Sequence, residues 1–271
     1  MDQKIAALYF CIACLPQHWQ ACLKNLFLAA LCYGVDRSEF GNFPTFWPVI
    51  DELIFLERTG ISIETDDGPI QVYFLLSLIL GDNLGQNQIM GLTECFTANY
   101  FCRVCKVHRN VMRRTFVEDV GALRNRQNYE EDLALNNVQL TGIKERCYWN
   151  DVPSFHVTEN VNGCLLHDFE EGACGYGIVL ILYWLICVYE FLTFEVLHQR
   201  INCFDYGPNE VGNKPPISKI TQSAVMNRSK LLLSGSESLC LTRYLSLMIG
   251  DLIPEGMCGI IICLSEPWQT V

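Results

Sequence analysis

Apolar and polar positions divide the chain into segments of recognisable period. Residues 4–15 mix aliphatic and aromatic side chains and stop at Pro16, the pattern of a short buried strand. Residues 19–33 read as a helix closed by Gly34. After the turn-rich stretch DRSEFGNFPTFWP, residues 49–58 set Ile50, Leu53, Ile54 and Leu56 on a helical period and close at Gly60. A turn at 65–68 leads into 70–80, a continuous apolar run rich in aromatic and branched residues, which predicts a strand buried on both faces of an α/β sheet. That run ends at Gly81-Asp82-Asn83, and a helical pattern returns over 86–100.

Beyond residue 100 the pattern changes. Residues 109–149 are polar and of mixed charge, with a helix predicted near 128–136, and 153–163 reads as loop. Residues 164–200 predict one or two long helices, 207–216 an exposed linker rich in Gly, Pro and Asn, and 230–233 and 239–249 two further apolar stretches. Within the long segment, 175–194 carries only Glu190 as a charge and is almost long enough to cross a bilayer. Glu170 and Glu171 precede it and Glu195, His198 and Arg200 follow, which favours a buried core helix over a membrane anchor.

Composition narrows the classes. A chain of 271 residues, 50% hydrophobic and 18% charged, can bury a sizeable core and is not a disordered tail. Its net charge of -11 excludes a surface that grips nucleic acid everywhere, so any such contact is local. The 15 cysteines are dispersed and sit mostly in apolar runs, which suits free thiols in a reducing compartment. The N-terminus has an apolar stretch but no positively charged lead, so a secretory signal is not expected.

Four sets of residues carry candidate chemistry. Asp82 follows the apolar run at the place where α/β enzymes put metal-binding acids, although a turn that caps the next helix accounts for it equally well. Cys102 and Cys105 have the spacing of half a zinc site, with His108 close by and His156 or His167 as further ligands from a distance. Cys11 and Cys14 share that spacing but read as buried strand. Arg103, Lys106, Arg109, Arg113, Arg114, Arg124 and Arg126 place seven of the 19 basic residues within 24 positions, a phosphate-binding patch or a solvated face balanced by nearby acids. In FHVTENVNGCLLHDFEEG, the residues His156, Glu159, His167, Asp168, Glu170 and Glu171 suit either metal ligation or the electrostatics of a helix start.

The ordered series LILGDNLGQNQIMGLTECFTANYFCRVCK, NYEEDL, TGIKERCYWN, FHVTEN, LLHDFEEGACGYG and RINCFDYG resembles the transposases of the DDE superfamily, in the CACTA and Plavaka-like branch. The likeness runs from about Lys4 to Glu255. It implies an α/β fold: a partial RNase H-like core over 1–100, interrupted by a mainly α-helical insertion over 101–271. In that family Asp82 matches the second catalytic acid, a ligand of divalent metal; Cys102 and Cys105 match the pair that opens a zinc site; and His167 and Asp168 match a His-Asp pair that begins a helix. The family's first acid precedes the region matched by Lys4, and its final Glu and zinc-binding histidines follow the insertion. One of three acids and one of two zinc pairs are therefore matched. The expectation is a transposase-like protein without strand-transfer activity of its own, with magnesium bound only in a completed active site. DNA and further copies of the chain are the expected partners, contacted in the nucleus, with Arg103, Lys106, Arg109, Arg113 and Arg114 on DNA. Membrane association through 175–194, and a product without stable function because of an open sheet edge, are the alternatives.

Overall fold

The structure, a computed structural model, describes residues 5–20, 22–115 and 117–254. It forms two compact units, 1–162 and 163–271. The fold is mixed α and β, with two separate two-stranded antiparallel sheets among the described residues. After residue 100 the regular elements described are helical, apart from isolated bridges.

In the first unit, strand β1 (Ile5–Phe10) pairs with β2 (Phe27–Tyr33), from Ile5 opposite Tyr33 to Phe10 opposite Phe27. The helix expected over 19–33 is thus mostly strand: only one turn, α1 (Gln17–Gln20), and a 3-10 turn, Leu23–Asn25, precede β2. The apolar run FLAALCY fits either period, and pairing with a distant partner decides it. The strand expected over 4–15 covers only β1, Lys4 lying outside the described residues, and most positions of both strands are exposed rather than buried. Cys11 and Cys14, expected in a buried strand, lie exposed beyond its end.

Helix α2 (Gly34–Phe40) ends at Gly41, whose φ of 83° turns the chain into α3 (Asn42–Arg58). That helix starts a full two turns earlier than its periodicity suggested. Asn42 is buried at its start and donates to the Gln88 carbonyl and Glu145 Oε1, and Thr45 donates to the Gly41 carbonyl. A hairpin follows, β3 (Ile61–Thr65) with β4 (Gly68–Val72). The strand predicted over 70–80 is paired only as far as Val72; from Tyr73 to Leu80 the chain belongs to no sheet, and one side of it faces solvent. Helix α4 (Asn83–Ile89) stops far short of residue 100, because Gly91 takes a left-handed φ of 72° and Asn87 Nδ2 bonds the Thr93 carbonyl. The short α5 (Arg109–Met112) and α7 (Val138–Thr141) flank α6 (Arg126–Leu135), which begins with a reciprocal capping box between Asn125 and Asn128. The core gathers Phe46, Ile50, Ile79, Met90, Tyr129 and Trp149 with the chain around Val152 to Val157.

In the second unit one continuous helical run, 165–188, holds α8 (Cys174–Tyr183) between wider π-type turns at Leu165–Ala173 and Trp184–Val188. It ends at Glu190, with φ 53°, and Thr193 caps α9 (Phe194–Cys203). The expected buried helix is buried on one face. Ile178, Val179, Leu182 and Leu185 pack into the core, while Tyr176, Leu180 and Trp184 stand exposed. Short turns α10 (Gly207–Glu210) and α11 (Gln222–Met226) lead to α12 (Gly235–Ile249), opened by a Ser234–Glu237 capping box and packed on α8 and α9.

Candidate functional site

The chain between Tyr100 and Asn110 is held as a tight turn. The Val104 amide donates to Cys102 Sγ at 3.4 Å. The turn is stitched to 122–124 by Lys106 N to Ala122 O (2.8 Å) and Arg124 N to Val104 O (2.9 Å), with Cys105 bridged to Leu123. The Cys102 side chain lies close enough to act on the Cys105 thiol. Burial raises the pKa of Cys105, the Cys102 side chain adds to the effect, and the Arg124 guanidinium opposes it. Backbone N–H groups aimed at sulfur stabilise thiolates, and two sulfurs at one place supply two of the four ligands of a tetrahedral zinc.

The residues present fit that half and no more. Among the described residues no group of three or more His, Cys, Asp or Glu side chains is placed to hold a metal ion. His108, expected as a third ligand, instead caps α5, its Nδ1 accepting from the Asn110 amide at 3.2 Å with its ring edge-on to Tyr100. His156 is buried against Tyr129, its Nδ1 2.8 Å from Thr158 Oγ1. His167 belongs to the second unit, 3.0 Å from Cys164 Sγ.

The basic cluster separates into struts and free cations. Arg103 is buried and donates to Asn83 Oδ1 and the Asn162 carbonyl, which places it in the frame rather than on a DNA-facing surface. Arg124 is also buried: it donates to the carbonyls of Cys102 (3.1 Å) and Thr141 (2.7 Å) and pairs with Asp132 at 3.4 Å. Lys106 closes on the other oxygen of Asp132 at 2.8 Å. Arg109 bonds the Thr97 carbonyl, and Arg126 makes a two-pronged pair with Glu159. Arg113 and Arg114 differ: both are exposed, neither side chain has a hydrogen bond or ion pair among the described residues, and with Asn110, Val111 and Thr115 they line one open depression.

Asp82 is exposed and caps α4, one carboxylate oxygen accepting from the Gly85 amide. Its neighbour Asn83 is the side chain gripped by Arg103, so the turn after the apolar run is tied to the cysteine turn. In the second unit Asp168 reaches back to accept from the Cys164 amide at 2.8 Å, satisfying a donor at the start of the long helical run. Periodicity gave no sign of the Arg124–Asp132 pair, since only folding brings two such residues, eight positions apart in mixed-charge sequence, into the dark together.

No protein-family model matches the chain. Comparisons with characterised proteins and with solved structures likewise find no match.

Proposed function

We propose that this chain is a transposase-derived protein of the DDE, RNase H-like class that binds DNA through the segment following its cysteine turn and does not itself transfer strands. The observation that carries it is the pair Arg113 and Arg114. They are the two cations of the basic cluster left exposed and unpaired among the described residues, at the end of a helix that a braced Cys-x-x-Cys turn delivers. Unpaired arginines on an acidic protein are what a local phosphate contact requires. The ordered motif series supports the family assignment. Cys102 and Cys105 would hold zinc with two further ligands, and Asp82 would hold magnesium only beside other carboxylates. Nuclear residence follows from a DNA partner.

Charge reversal tests the proposal. Arg113→Glu with Arg114→Glu should abolish the electrophoretic shift of duplex DNA while leaving the circular dichroism spectrum unchanged; a shift insensitive to both changes refutes it. A second function has one observation in its favour: the 165–188 helical run holds an 18-residue stretch of mean hydropathy 1.8 and leaves Tyr176, Leu180 and Trp184 exposed along one side. Extraction by detergent but not by salt would support membrane attachment in place of DNA binding.

A further inference from the structure

We infer that the outer edge of β4 and its continuation, residues 71–75, is where a second copy of this chain docks, strand against strand. The two-residue loop of the β3–β4 hairpin closes on the pair Thr65 and Gly68, so Gly68, Ile70 and Val72 point their backbone groups at β3, and Gln71 points away. The alternation persists after pairing ends. Phe74 N–H donates inward to the Leu56 carbonyl at 3.2 Å, and Leu76 N–H to Ser154 Oγ at 3.0 Å. The backbone groups of the alternate residues Tyr73 and Leu75 bond nothing among the described residues. Side chains follow the same period, with Tyr73 (57%) and Leu75 (69%) exposed and Phe74 and Leu76 half-buried. An extended apolar strand with an open edge is a template for another strand.

Charge selects the occupant. From Gly68 to Gly81 there is no charged residue, in a chain whose net charge is -11. Two copies of an acidic chain can meet along this segment without opposing like charges. An antiparallel pairing about a twofold at Tyr73 sets Tyr73 opposite its own copy and Gln71 opposite Leu75, and forms about six inter-chain hydrogen bonds. Pro69, lacking an N–H, would lie opposite Ser77, whose carbonyl already accepts from Asn160 Nδ2 at 2.8 Å, so the ladder ends there in both directions.

The test is the association state of the full chain by sedimentation velocity from about 1 to 100 μM, the usual span of weak dimers. Leu75→Pro removes an outward N–H and leaves the inward bonds of Phe74 and Leu76; Leu75→Lys adds a charge at the edge. A wild-type dimer whose Kd rises at least about tenfold in both variants, with unchanged circular dichroism, is the expected result. Hydrogen exchange of the wild type supplies a reading without any variant: the amides of Tyr73 and Leu75 should gain protection as concentration rises. A monomer throughout the range, a dimer indifferent to both substitutions, or exchange at these amides independent of concentration would each overturn the inference.

Discussion

Asp132→Asn removes one negative charge and almost no volume from the brace beneath the cysteine turn. The side chains of Arg124 and Asp132 are 2% and 5% exposed, so the substitution strands a guanidinium away from water. Breaking one side of a buried pair costs about 3–5 kcal/mol. Arg124 keeps the Cys102 and Thr141 carbonyls as acceptors, which sets the loss at the lower end, about 3 kcal/mol. Lys106, one-third exposed, can turn to solvent and adds little. With a urea m-value of about 2 kcal/mol/M, the midpoint of the transition reported by buried Trp149 should fall by about 1.5 M. Arg124→Met with Asp132→Leu should recover most of this loss, because no charge is left unpaired. Arg126→Ala supplies the contrast: its 2.6 Å pair with Glu159 is the shorter one, yet both side chains are more than half exposed, and the cost should be a small fraction of the Asp132→Asn loss. An Asp132→Asn loss below about 0.5 kcal/mol, or a double variant no better than the single, would refute this ranking of burial over distance.

Three further outcomes are expected. Gly142 sits at φ 73°, where an added Cβ would fall 1.9 Å from the Tyr100 carbonyl, so Gly142→Ala should cost more than about 2 kcal/mol in the same denaturation experiment; a neutral variant would contradict the close approach. Burial, then Arg126, lowers the pKa of His156, so the unfolded chain takes up this proton more readily than the folded one. Its share of stability should therefore be complete above about pH 6.5 and be lost as pH falls through the lowered folded value, and a His156→Gln variant with the wild-type pH profile would remove this account. Two thiols supply only half of a tetrahedral zinc site, so metal analysis of purified protein should find zinc well below one per chain, lost in Cys102→Ser with Cys105→Ser; one zinc per chain in that variant would place it elsewhere.

Where local signals were strong they foretold local structure. Asn125 and Asn128 cap α6, within a few residues of the predicted span, and the close of α3 at Arg58 follows its apolar stripe into Gly60. Its early start was hidden because FGNFPTFWP looks like turn, whereas Gly41 and buried Asn42 hold it as helix through contacts with residues some 46 and 103 positions away. FLAALCY was misassigned for the same reason, its partner being β1. The run 70–80 showed its apolar content and extended tendency, but not that pairing would stop at Val72, since a neighbouring strand leaves no mark on the strand itself. At the candidate site the sequence singled out Cys102 and Cys105, which the fold does bring together. It did not sort Arg103 and Arg124, which are buried struts, from Arg113 and Arg114, which are free, because equal charge and neighbouring positions carry no record of burial.

DNA affinity as a function of salt tests the central claim most directly. Fluorescence anisotropy of a labelled duplex, titrated with wild type and with Arg113→Gln plus Arg114→Gln, gives the slope of log K against log salt. If both arginines neutralise phosphates, the wild type binds with a negative slope and the double variant loses about 1.8 of it. No binding at low salt, or the same slope in both proteins, would contradict the assignment of this surface to DNA.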